Sequence, residues 1–122
     1  MILKSTLNNL LIVEDNYFIG NKIFDTTKKI SNLEDVILVK SLKEATSLLN
    51  DTKFEFIILD LNLPDGNGIE LLKWLKEKSI ETKVFVFSTN TELKQICLRN
   101  GAFAFFDKAK DFDVLIETLK NI

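Results

Sequence analysis

The side chains available for chemistry in this chain are acids, hydroxyls and amines, because it contains no histidine. His-based metal sites, Ser-His and Cys-His nucleophile systems and a phosphohistidine carrier are thereby excluded. Five of the remaining groups share a placement, each coming after a short apolar run. Glu14 and Asp15 follow Leu10–Val13, Asp60 follows Phe56–Leu59, Ser88 follows Val84–Phe87, and Lys108 comes after Ala102–Phe106 and Asp107. If those runs end side by side, three carboxylates, a hydroxyl and an amine converge. Two unit charges about 4 Å apart interact by about 4 kcal/mol at an effective dielectric near ~20, so three unshielded carboxylates would strain the fold. A divalent cation relieves this. Mg²⁺ suits the set, since it prefers oxygen ligands, keeps several waters and needs only one or two carboxylates plus a phosphate oxygen. Mn²⁺ can substitute.

The elements that must position these groups are legible around Phe54–Gly68, FEFIILDLNLPDGNG. Phe56–Leu59 has the length and β-branched content of a strand buried on both faces, and it delivers Asp60 at its far end. Pro64, Asp65, Gly66, Asn67 and Gly68 then break the strand, and helical periodicity follows. Taken alone, the stretch fits a carboxylate that merely ends a strand as well as one that works there. The rest of the chain repeats the pattern. Leu10–Val13 is a strand whose following helix is capped by Asn16 and faced by Ile19, Ile23, Thr27 and Ile30. Tyr17, Phe18 and Phe24 lie off that stripe. Val36–Val39 leads to a helix through Leu49 with Ser41 and Glu44 as a capping box. After the glycine turn, Ile69, Leu72 and Leu75, flanked by Leu71 and Trp74, make a broad apolar face in which Trp74 packs.

Val84–Phe87 precedes a helix carrying Leu93, Ile96 and Cys97 and stopping at Asn100-Gly101. Ala102–Phe106 precedes a last helix capped by Asp111 and faced by Phe112, Leu115, Leu119 and Ile122. Strand-like runs alternating with helical patterns imply a five-stranded parallel sheet with helices on both faces, because each crossover is long and right-handed. Ligands of such sheets sit at the carboxyl ends of the strands, at a topological switch point.

A chain of 122 residues, 46% hydrophobic and 28% charged, fits one compact domain spanning 1–122, with Met1–Asn9 as a frayed lead-in. No apolar stretch approaches the roughly 20 residues that span a bilayer, and Met1–Leu7 lacks the apolar core of a secretory signal, so no membrane insertion and a cytoplasmic setting are expected. The net charge of -2, with lysines scattered, argues against direct nucleic-acid binding. Cys97 stands alone at a helical apolar position and reads as core filler.

LLIVEDN, FIILDLNLPDGNGIELL, VFVFST and GAFAFFDKA resemble, in order and spacing, the sequence blocks of response-regulator receiver domains of two-component signalling, the CheY-like, flavodoxin-like (βα)5 fold. The likeness runs from about Leu10 to Ile122. It implies that Asp60 is a phosphoacceptor, taking a phosphoryl group from a histidine kinase or histidine phosphotransfer protein. It implies that Glu14 and Asp15 hold Mg²⁺ with Asp60 and the Asn62 backbone carbonyl, that Lys108 binds a phosphoryl oxygen, and that Ser88 is a switch hydroxyl paired with an aromatic switch at Phe105. Asn62, Thr89 and Asn90 fall at positions that tune access and hydrolysis. Such a chain promotes its own phosphoryl uptake and slow loss without being a conventional enzyme.

Two departures carry expectations. Ala109 follows Lys108 where the family usually has proline, often after a cis bond; a cis bond before a non-proline residue costs about 2.5 to 4 kcal/mol, so a trans bond and a somewhat different loop are expected. Thr89 is bulkier than the residue many members carry and is expected to restrict entry to Asp60. A haloacid-dehalogenase-type enzyme would need a second acid where Asn62 stands, and a cap domain. A degenerate receiver is opposed by the intact Asp15, Asp60, Ser88 and Lys108. The chain is expected to stand alone, with output by docking on a target protein or by phosphorelay.

Overall fold

The apolar runs become strands because helices cover both faces of the sheet they form. The computed structural model describes residues 8–122 and places β1 (Asn8–Val13), β2 (Leu33–Val39), β3 (Phe56–Leu59), β4 (Lys83–Ser88) and β5 (Ala104–Asp107) in one parallel sheet of order β2-β1-β3-β4-β5. The helices between and after them are α1 (Tyr17–Thr27), α2 (Leu42–Asp51), α3 (Ile69–Glu77), α4 (Lys94–Arg99, entered through a 3-10 turn, Thr91–Leu93) and α5 (Phe112–Lys120). No helix among the described residues is long and apolar enough to cross a membrane.

Alternation along the strands splits the core in two. Leu10, Ile12, Phe56, Ile58, Phe85 and Phe87 pack with Ile23 of α1 and with Leu115, Ile116 and Leu119 of α5. Leu11, Val13, Ile57, Leu59, Val84 and Val86 pack with α2, α3 and α4 through Ala45, Leu49, Leu71, Leu72, Leu75 and Cys97. Both sets of neighbours are therefore apolar, which is why the central strands read as unbroken hydrophobic runs rather than as alternating ones. Trp74 is partly buried against the second cluster, and Cys97 is buried with its thiol pushed up by that burial.

Several boundaries differ from the sequence reading. Asn8 and Asn9 belong to β1, the Asn9 N–H donating to Glu55 Oε1 at 2.7 Å, so only Met1–Leu7 of the expected lead-in is unaccounted for, and it lies outside the described residues. β2 starts at Leu33 rather than Val36, since Glu34 and Asp35 face water on an edge strand. β5 starts at Ala104 rather than Ala102, because the Ala102 N–H is used on the Cys97 carbonyl to close α4. The last helix buries Ile116 in place of Ile122, which is 39% exposed. Ile30 is buried although α1 ends before it.

Capping follows the sequence in two of three cases. Asn16 accepts the Ile19 N–H at 3.0 Å, and Ser41 accepts the Glu44 N–H at 3.1 Å while Glu44 Oε1 takes the Lys40 N–H at 3.0 Å. Asp111, expected to cap α5, instead turns its carboxylate back onto the Asp107 N–H at 3.0 Å.

Candidate functional site

Strand register assembles the site. Val13 pairs with Leu59, so Glu14 and Asp60 are the next residues out along neighbouring strands, and the Asp60 N–H donates to the Val13 carbonyl at 2.9 Å. Ser88 pairs with Asp107, and the Lys108 N–H continues that ladder onto the Ser88 carbonyl at 3.0 Å. The sheet order reverses between β1 and β3, which makes their carboxyl ends the switch point where an open α/β sheet leaves a crevice.

In that crevice one oxygen from each of Glu14, Asp15 and Asp60 lies within 4.8 Å of the others. Glu14 and Asp60 are buried, at 2% and 4% exposure, while Asp15 faces solvent. Lys108 Nζ reaches across from β5 and lies 2.7 Å from Glu14 Oε1 and 3.1 Å from Asp60 Oδ1. The amine that the sequence placed with the three carboxylates thus sits between two of them and shields them in part. The shielding is incomplete. Burial pushes the Glu14 carboxyl up to about 7, with the charge of Asp60 adding to the rise, against the lowering pull of the Lys108 hydrogen bond and the Asn16 N–H. A set of hard oxygens holding more negative charge than one ammonium offsets is a donor set that fits Mg²⁺.

Ser88 is fully buried, and its Oγ accepts the Asn90 N–H at 3.0 Å, so the hydroxyl is engaged with the loop after β4. Thr89 is exposed beside it. Asn90 Nδ2 contacts Asn62 Oδ1 at 3.5 Å, and the Asn62 N–H donates to Asp60 Oδ1 at 3.3 Å. The structure therefore groups Asn62, Asp60 and Asn90. Phe105 is half-buried, packs on the core from β5 and lines a cavity of about 230 Å³ with Thr91, Lys94, Asp107, Lys110 and Asp111. The Lys108–Ala109 bond is trans.

Two supporting residues were not singled out for these roles by sequence. Gly68 runs so close to the site backbone that a Cβ there would lie 2.5 Å from the Asp60 carbonyl oxygen. Asp65 accepts the Leu42 and Lys43 N–H groups at 2.9 and 3.0 Å, capping α2 from the loop after Asp60, and those two bonds hold its carboxyl below the usual range. Around Asp65 the turn carries a small antiparallel ladder, Asn62–Leu63 with Gly66–Asn67, where only a strand break was expected. The turn composition marked the region, but the partners of Asp65 lie more than twenty residues away in sequence.

A doubly wound parallel sheet with acids and a lysine gathered at its switch point defines the class of fold and site. A family model, the response regulator receiver domain, matches residues 10–120, and the chain belongs to that family, whose members serve two-component systems. The chain is 33% identical over 84 residues to the transcriptional regulatory protein CiaR of Streptococcus pneumoniae, covering 69% of this chain and 36% of that protein. It is 31% identical over 107 residues to the transcriptional regulatory protein MalR of Bacillus subtilis, covering 86% of this chain and 46% of that protein. The chain thus spans less than half the length of either relative. The solved response regulator domain of Thermotoga maritima CheB superposes with a TM-score of 0.82 at 27% identity, covering 94% of this chain and 92% of that one.

Proposed function

We propose that this receiver domain accepts a phosphoryl group on Asp60 from a phosphohistidine and uses it to change its partner-binding surface. The observation that carries the proposal is the convergence of Glu14, Asp15 and Asp60 with Lys108 Nζ only 3.1 Å from Asp60 Oδ1. An Asp60 oxygen attacks phosphorus, the P–N bond of the donor breaks as the P–O bond forms, and the electron pair leaves with the imidazole, which recovers a proton from solvent. Such a transfer asks the protein for positioning and charge neutralisation more than for covalent help. Lys108 supplies one positive charge to a phosphoryl oxygen. Glu14, Asp15, Asp60 and the Asn62 carbonyl would hold Mg²⁺, which when bound neutralises phosphoryl charge and keeps the reacting atoms in line.

The new group carries about -1.5 to -2 charge and offers the Ser88 hydroxyl, which now accepts the Asn90 N–H, a strong acceptor to donate to. Ser88 then releases the Asn90 N–H, and the space it leaves lets Phe105 turn inward, reshaping the surface of α4, β5 and α5. The donor docks beside α1, where Tyr17 and Phe18 are 65% and 81% exposed next to the half-buried Ile19. Output runs through protein contact at Gln95, Leu98, Arg99 and Phe103, or through passage of the phosphoryl group to a further histidine. A cytoplasmic setting goes with this reading. Incubation with Mg²⁺ and a phosphorylated histidine kinase, followed by intact-mass measurement, should show one added phosphoryl group on the native protein and none on Asp60→Asn; equal labelling of both overturns the assignment.

A further inference from the structure

Lys108 does the work of a fixed cation only if its backbone is fixed, and the chain around it does this with two acids. The Asp107 Oδ1 accepts the Ala109 N–H at 2.8 Å, spanning Lys108 in a tight turn. The Asp107 carbonyl accepts the N–H groups of Lys110 and Asp111 at 3.2 and 2.8 Å, and its own N–H donates to Asp111 Oδ2 at 3.0 Å. Four of the bonds that hold residues 107–111 thus start or end on Asp107, whereas the Lys108 N–H goes outward to the Ser88 carbonyl. We infer that Asp107 is a positioning residue for phosphoryl uptake, its carboxylate clamping the Lys108–Ala109 peptide so that Lys108 Nζ is presented to Asp60.

The physical reason is that Ala109, unlike a proline, brings a free N–H and a freely turning φ to the residue after the lysine. Held by Asp107, that N–H becomes the restraint. Lys108 carries several rotatable bonds, so a small swing of its Cα is multiplied at Nζ, and a misplacement of about 1 Å at a reacting centre can cost about a hundredfold in rate. Asp107 itself touches neither Asp60 nor Glu14 among the bonds described, so its influence on them runs through the peptide it holds.

This inference rests on Asp60 as phosphoacceptor, and its test separates the two. Uptake from acetyl phosphate with Mg²⁺ is measured by intact mass, and the Lys108 side-chain ammonium is followed by ¹H–¹⁵N NMR without Mg²⁺ or donor. Asp107→Ala should slow uptake about tenfold and speed exchange of the Lys108 ammonium protons, whereas Asp107→Asn, which keeps an oxygen acceptor, should match the native protein in both. In an Ala109→Pro background, where no N–H remains to be clamped, Asp107→Ala should have no further effect. Native behaviour of Asp107→Ala in both measurements, or an equal effect in the proline background, overturns the inference. If the native protein takes up no phosphoryl group, the phosphoacceptor reading fails, and the ammonium exchange alone decides whether Asp107 holds Lys108.

Discussion

Lys108 Nζ lies 2.7 Å from Glu14 Oε1 and 3.1 Å from Asp60 Oδ1, so the lysine that would meet a phosphoryl oxygen rests between two buried acids beforehand. Removing one partner from a buried pair leaves the other's charge uncompensated, at a cost of about 3 to 5 kcal/mol. Lys108→Ala should therefore lower stability in chelator at pH 8 by about 3 kcal/mol, the lower end, because Asp15 and the crevice remain open to solvent. The loss should shrink at pH 6, where Glu14 takes a proton, and Mg²⁺ should recover most of it. Urea unfolding under the three conditions checks this, and a loss that ignores both pH and Mg²⁺ would show that the pair is not what fails.

The acid cup also sets a pH dependence. Glu14 keeps its proton to about 7 in the folded chain and to about 4.5 in the unfolded one. Between those values the native state binds more protons, so stability contributed by this group falls as pH rises through the window, and the full penalty is present above 7. At about 1.4 kcal/mol per pKa unit, the penalty is on the order of 3 kcal/mol. Glu14→Gln should be more stable than the native protein at pH 8 in chelator and indistinguishable at pH 5. Parallel stability curves for the two proteins would remove Glu14 as the titrating group.

Gly68 has no room for a side chain. A Cβ would stand 2.5 Å from the Asp60 carbonyl oxygen and 3.1 Å from the Leu61 Cα, both backbone atoms that cannot turn aside. Gly68→Ala should cost about 2 kcal/mol by overpacking and should slow phosphoryl uptake by displacing the Asp60 peptide. Thermal unfolding and intact-mass labelling report the two effects. A destabilised variant with native uptake would place the strain away from Asp60.

Thr89 is exposed directly after Ser88, the last residue of β4. Thr89→Ala should label faster from acetyl phosphate and lose its phosphoryl group faster, several-fold in each direction, because water and small donors share the same approach. Phosphate release followed after donor removal is the measurement; slower loss from the variant would mean that Thr89 does not obstruct.

The strands and the site's members were readable because parallel strands buried on both faces are written as apolar runs, and each run here ends in a polar residue that the register then aligns. Phe56–Leu59 is the clearest case, its bounds matching the observed strand. What could not be read locally were relationships across distance. Asp65 is a turn residue by composition, yet its carboxylate serves α2; Asp111 is a cap by position, yet it serves Asp107. Edge effects were equally hidden, since charged Glu34 and Asp35 interrupt an apolar pattern without interrupting β2. The partnership of Lys108 with Glu14 depends on the lysine side chain reaching from the end of β5 to the end of β1, with β3 and β4 between them in the sheet, which no run of neighbouring residues encodes.

Glu14 and Lys108 are separated by 94 positions. A chain under synthesis therefore owns Glu14 long before it owns the ammonium beside it. A nascent or nicked molecule ending before β5 would present these acids without their ammonium, and the partial charge balance of the crevice arrives only with β5. Charge in the crevice thus reports whether the chain has been made as far as Lys108.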